Sequence, residues 1–108
     1  MMRWLLLVPM VVGLMGCASH PRLEGVQALT PNADAGEAIY AKHCAECHGA
    51  DLAGAVEGPD IRGEVRFHSD AQLVVMVLAG VGEMEGFDKE LDDQQAADLV
   101  AWLNRAAK

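Results

Sequence analysis

The chain has 108 residues, enough for one domain with one core. Its 16 Asp and Glu against 8 Lys and Arg give a formal charge of −8, which argues against nucleic acid as a partner and toward a basic protein surface. Aromatics make up only 5% of residues although 52% are hydrophobic, so a domain this small calls for help from a disulfide, a metal or a cofactor.

Met1-Met2-Arg3 precedes an apolar run from Trp4 to Leu14, the charged start and apolar stretch of an export signal. The run is about half of the ~20 residues that span a bilayer, so residues 1–16 read as a removable leader. It closes in Leu14-Met15-Gly16-Cys17, which resembles the lipobox of bacterial lipoproteins, Met15 being a less usual residue there. That resemblance implies cleavage before Cys17 and acylation of Cys17. Several acyl chains would then hold the mature protein on the periplasmic or extracytoplasmic side of a membrane in the bacterial cell envelope. An ordinary secretory signal with an incidental Cys17 is the plainer alternative. Residues 17–33, with Pro21, Gly25 and Pro31 and no helical or strand period, read as a flexible tether spanning on the order of 20 Å.

From residue 34 to 108 the pattern is that of a single helical domain. Asp34 with Glu37, Ser69 with Gln72 and Asp92 with Gln95 have the spacing of capping boxes, each heading an apolar-periodic stretch. The spacing predicts helices from Asp34 to about Lys42, from Asp70 to Ala79 with Gly80 as the stop, and from Asp93 to near Ala107. Glycine-rich loops cover residues 49–63 and 80–86. No alternating strand pattern appears, and the expected class is all-α with substantial loop.

Within this frame lies Cys44-Ala45-Glu46-Cys47-His48. A two-residue gap suits two thioethers to the vinyl groups of one haem, and the histidine that follows lies where it can ligate the iron. A redox-active dithiol would want a βαβ context, and a zinc site would want a second pair of ligands; neither is present in the sequence. With Cys17 in the lipobox, all three cysteines have separate uses and none is left for a structural disulfide. A sixth iron ligand on the far side must come from elsewhere. Met84 lies in the loop from Gly80 to Phe87, whose glycines permit close backbone approach. Met76 lies inside the run from Leu73 to Leu78, where methionine ordinarily packs. Met84 is therefore the better candidate, with His68, Met76 or an open position as alternatives.

In the order of these features the chain, from about Asp34 to its end, resembles a class I cytochrome c. The shared marks are a helix leading into Cys-x-x-Cys-His-Gly, Gly58-Pro59, a methionine loop and a closing amphipathic helix. The resemblance implies a small cytochrome c fold, three main helices with loops wrapped around one covalently bound haem c. It implies that the Pro59 carbonyl accepts a hydrogen bond from Nδ1–H of His48. It also implies that Gly36 and Tyr40 meet Leu99 and Trp102 at a helix crossing, and that Arg62 and Arg66 are placed to pair with haem propionates. One departure is Glu85, which follows Met84 where the family commonly has proline.

The expected function is electron transfer, the iron cycling between Fe(III) and Fe(II) and passing electrons between envelope redox partners that present a basic docking surface. No small-molecule substrate is expected. Two alternatives remain: a haem protein with an open or labile sixth site, acting as a peroxidase-like enzyme or gas sensor, and a small haem subunit of a larger envelope oxidoreductase.

Overall fold

Two helices, α2 (Ala33–His43) and α6 (Asp93–Ala106), cross at Gly36. A Cβ on Gly36 would overlap the backbone carbonyl oxygen of Asp98 and stand 2.7 Å from Trp102 Cβ, so glycine is what lets the two backbones meet. Beside the crossing, Tyr40 stacks on Trp102 with ring centroids 4.7 Å apart. The expected meeting of the first and last helices is therefore present. The computed structural model describes residues 19–108; the leader over 1–16, the lipidation site Cys17 and Ala18 lie outside the described residues.

The core is built from helical spacing. Ala96, Leu99, Val100 and Leu103 form one buried stripe of α6, and Leu73, Val74, Val77 and Leu78 form that of α5 (Asp70–Ala79). Full burial of one such Leu or Val contributes roughly 1.5–3 kcal/mol. Both predicted capping boxes at the heads of these helices are made. Ser69 Oγ accepts from Gln72 N at 3.1 Å while Gln72 Oε1 accepts from Ser69 N at 2.8 Å, and Asp92 and Gln95 exchange the same pair of bonds.

The start of α2 differs from expectation. Its cap is Asn32, whose side chain accepts from Ala35 N, rather than Asp34 with Glu37. The reason is tertiary: the Asn32 backbone N–H donates to the buried Asp98 carboxylate at 2.7 Å, which fixes the chain's entry before Asp34 is reached. Asp34 instead pairs with Arg105 on the surface.

Residues 17–33 are not a free tether over their described part. α1 (Leu23–Gln27) is a short helix that buries Val26 to 2% exposure, and Arg22 at its head is bonded to the other end of the domain. Five residues are too few to show a helical period, which is why the sequence reads as coil. Two further one-turn helices, α3 (Ala45–His48) and α4 (Arg62–Phe67), escape sequence reasoning for the same cause. So does a minimal antiparallel hairpin of β1 (Gly80–Val81) and β2 (Met84–Glu85), with Val81 directly opposite Met84. The fold remains all-α in class. Among the described residues no helix is long and apolar enough to cross a membrane.

Candidate functional site

The end of α2 hands the chain to the Cys-His segment. Cys44 terminates α2, and its carbonyl accepts from Cys47 N at 3.2 Å and His48 N at 3.0 Å. Cys44 as the cap and Cys47 within the single turn of α3 set two thiols three residues apart and therefore on neighbouring positions of one face. Cys44 is half-buried and Cys47 exposed, and the two are not joined to each other. Burial pushes the Cys44 thiol up to about 11, with the neighbouring Cys47 charge adding to it. A redox-active dithiol needs the opposite shift. Among the described residues no group of three or more His, Cys, Asp or Glu is placed to hold a metal ion, which disfavours the zinc alternative.

His48 is oriented from below by the loop that returns past it. Its Nδ1 lies 3.0 Å from the Pro59 carbonyl oxygen, the contact the family resemblance implies. With Nδ1–H donating there, Nε2 is the nitrogen left for a metal. The loop can come this close because residue 58 is glycine: a Cβ there would stand 2.6 Å from the Cys47 carbonyl oxygen. Leu52, in the same loop, holds a positive φ of 68° that a branched side chain rarely adopts; burial of that side chain in the core compensates the strain.

Tyr40 is a member of this site that sequence reasoning left as packing. Its hydroxyl donates to the Gly49 carbonyl at 2.6 Å, tying the residue after His48 to α2. The usable signal is that a buried phenol needs a hydrogen-bond partner. Burial, followed by the nearby charges of Cys44 and Asp51, pushes the Tyr40 hydroxyl up to about 12. An acid whose folded value lies above its ordinary 10 stabilises the fold fully below pH 10 and loses that contribution as pH rises toward 12. A Tyr40→Phe variant should therefore unfold at lower denaturant than the parent at pH 8 and show a flatter stability profile between pH 10 and 12, read by denaturant titration at each pH.

Met84 is half-buried in β2, sharing one face of the hairpin with Val81, while Glu83 and Glu85 on either side are exposed. The chain returns tightly to α5, since a Cβ on Gly86 would overlap the Leu78 carbonyl and Phe87 N donates to the Val77 carbonyl at 2.9 Å. Met76 packs against the core as its run suggested. His68 has Nε2 3.0 Å from the Glu64 carboxylate, and its Nδ1 is buried with no hydrogen-bond partner.

Arg62 and Arg66, placed near propionates by resemblance, are engaged by protein groups. Arg62 Nη2 lies 2.6 Å from Asp60, and its hydrogen bonds hold that carboxyl down at about 2. Arg66 donates to the Ala107 carbonyl and so closes the C-terminus of α6. Together with Asp60, Gly63, Glu64, Ala107 and Lys108 these residues line an open recess of about 510 Å³.

The arrangement fits a covalently bound haem. Two unpaired thiols sit on one turn, and His48 is oriented with Nε2 available.

Comparison with known proteins agrees. Residues 31–103 match the family model of cytochrome c oxidase, cbb3-type, subunit III. A cytochrome c-553-like protein of Synechocystis sp. is 34% identical over 84 residues, covering 77% of each chain. A dihydro-heme d1 dehydrogenase of Pseudomonas aeruginosa is 40% identical over 74 residues, which are 66% of this chain but only 15% of that protein. Among solved structures, cytochrome cL from Hyphomicrobium denitrificans is similar at TM-score 0.58 and 28% identity, over 66% of this chain and 45% of that one. The chain belongs to this cytochrome c family: it is a class I c-type cytochrome with one covalently attached haem c.

Proposed function

We propose that this cytochrome is an electron carrier without catalytic activity of its own, shuttling electrons between redox partners of the bacterial envelope. In this reading Cys44 and Cys47 would hold the haem through two thioethers, and His48 and Met84 would ligate its iron. The observation that carries it is the His48 Nδ1 to Pro59 carbonyl bond on a turn that also presents both thiols. When bound, the haem supplies a one-electron couple. The Pro59 carbonyl fixes the His48 ring and makes its other nitrogen a stronger donor, Tyr40 steadies the turn through Gly49, and the Met84 thioether favours the reduced state. With His48 and Met84 both ligating the iron, no substrate would need to reach it.

The exposed Glu83 and Glu85 beside Met84, followed by Asp88 and Glu90, support docking of a basic partner next to the ligand loop. The lipobox supports an anchor at Cys17 and a site on the extracytoplasmic side of an envelope membrane. Because the domain begins at Arg22, the five residues from Cys17 reach at most about 17 Å at full extension, so the domain works close to the membrane surface. Release of a Cys17→Ser variant from membranes without detergent, and slower reaction with a basic partner as salt rises, check these two readings. The dehydrogenase relative favours a second reading, in which this domain serves as the haem module of a larger envelope oxidoreductase.

The visible spectrum tests the proposal. The oxidised protein should show a weak thioether-to-iron charge-transfer band and the reduced protein should not respond to carbon monoxide. A missing band with a clear carbon monoxide shift would overturn Met84 ligation and favour catalysis or sensing.

A further inference from the structure

Three features outside the Cys-His turn converge on one residue. Arg22 lies N-terminal to the span that the family model matches, in the segment whose sequence reads as coil. Its guanidinium makes three directed bonds to the far end of the domain: Nε to the Asp93 carboxylate at 2.7 Å, Nη1 to the Asp88 carbonyl at 2.7 Å and Nη2 to the Leu91 carbonyl at 2.7 Å. The arginine is itself held, since its backbone N–H donates to His20 Nδ1 and the helix it heads buries Val26 in the core.

What Arg22 grips is the segment that follows Met84. From β2 the chain passes through Gly86 into a turn from Phe87 to Leu91, and that turn leads into the Asp92 cap of α6. On the other side of Met84 the hairpin rests on Gly80 and Gly82, both with positive φ, and on two-residue strands. Such a hairpin is weak by itself, because isolated two-stranded pairs are marginal in water. Glu85 next to Met84 adds no backbone restraint of the kind a proline would give. The restraint on the exit side comes from Phe87 N on the Val77 carbonyl, from burial of Leu91, and from the planar Arg22 fork spanning two turn carbonyls and one carboxylate.

We propose that Arg22 is a positioning residue for the sixth iron ligand: by clamping the Phe87–Leu91 turn from the N-terminal segment, it keeps the Met84 loop closed on the haem and restricts access of outside ligands to the iron. The inference rests on Met84 being that ligand. It also makes the segment before α2, together with the loop's own contacts at Phe87 and Leu91, an element that sets how labile the methionine is. A lysine in place of Arg22 keeps the charge but cannot serve three acceptors in one plane.

The test uses the haem-loaded protein and imidazole as the probe for the oxidised iron, with binding rate and the charge-transfer band as readouts. Parent, Arg22→Ala, Arg22→Lys, Met84→Ala and Leu103→Ala are compared, and thermal unfolding is recorded for each. Met84→Ala should bind imidazole at once. Arg22→Ala should bind it about tenfold faster than the parent or more, with a weakened band, and Arg22→Lys should behave like Arg22→Ala, because loop opening is a local event governed by the clamp. Binding by Arg22→Ala at the parent rate, while Met84→Ala opens the site, would overturn the clamp and leave the ligand assignment standing. Met84→Ala identical to the parent would overturn both. If Leu103→Ala, which opens a cavity in the buried stripe of α6, accelerates binding as much as Arg22→Ala at an equal loss of thermal stability, global stability rather than the clamp controls access, and the inference fails.

Discussion

Replacing Met84 with alanine should convert the protein from a closed electron carrier into one whose iron binds carbon monoxide. The hairpin offers only one other large side chain on the same face, Val81, which has no donor atom. Of the two alternative ligands weighed from the sequence, Met76 is half-buried and packs against the core from within α5, and His68 is bonded to Glu64, so each has its side chain engaged elsewhere. A thioether stabilises the reduced iron, and its loss should lower the potential by a sizeable fraction of the roughly 0.8 V that axial ligation spans across haem proteins. Redox titration and a carbon monoxide difference spectrum read both effects. A variant indistinguishable from the parent in both would refute Met84 as ligand.

Gly36→Ala should be the most damaging single methyl in the domain. The added Cβ meets backbone of α6 at Asp98, which cannot rotate away as a side chain tip would, and Trp102 Cβ at 2.7 Å. Overpacking of this kind costs ~1–3 kcal/mol and more where the neighbour is rigid. For a domain of this size, ~3 kcal/mol corresponds to a fall in Tm of roughly 10–20 °C. The displacement would also disturb the Tyr40–Trp102 stack, and through Tyr40 the Gly49 carbonyl beside His48. Gly63 is the internal comparison: it too is helical, in α4, but a Cβ there meets nothing within 4 Å, so Gly63→Ala should leave Tm unchanged or raise it slightly. Equal Tm values for the two variants would contradict the role given to the crossing.

Much of the site is legible in the sequence because covalent spacing dictates it. Two cysteines and a histidine within five residues can share only a narrow set of geometries, and Gly58-Pro59 places a carbonyl from a glycine-permitted turn beneath the ring. The helices beginning at Ser69 and Asp92 are legible because cap and periodicity agree over ten or more residues. The start of α2 is misread because the competing cap, Asn32, is selected by a carboxylate 66 residues away. Arg62 and Arg66, given a propionate role by resemblance, bond Asp60 and the Ala107 carbonyl, partners that charge alone does not mark in the sequence.

The sequence by itself determined the haem-binding turn, the all-α class and two of the three capped helices. These follow from local chemistry and from spacing within single segments. Only the tertiary structure decided that Arg22 reaches across to Asp88, Leu91 and Asp93, that Asp98 sets the start of α2, and that Tyr40 bonds the residue after His48. Each of these contacts joins a side chain to a group that no local period or propensity marks, and the first two span more than sixty residues of chain. Packing of the core brings such partners together, and hydrogen bonding then fixes them because buried or half-buried polar groups are costly to leave alone.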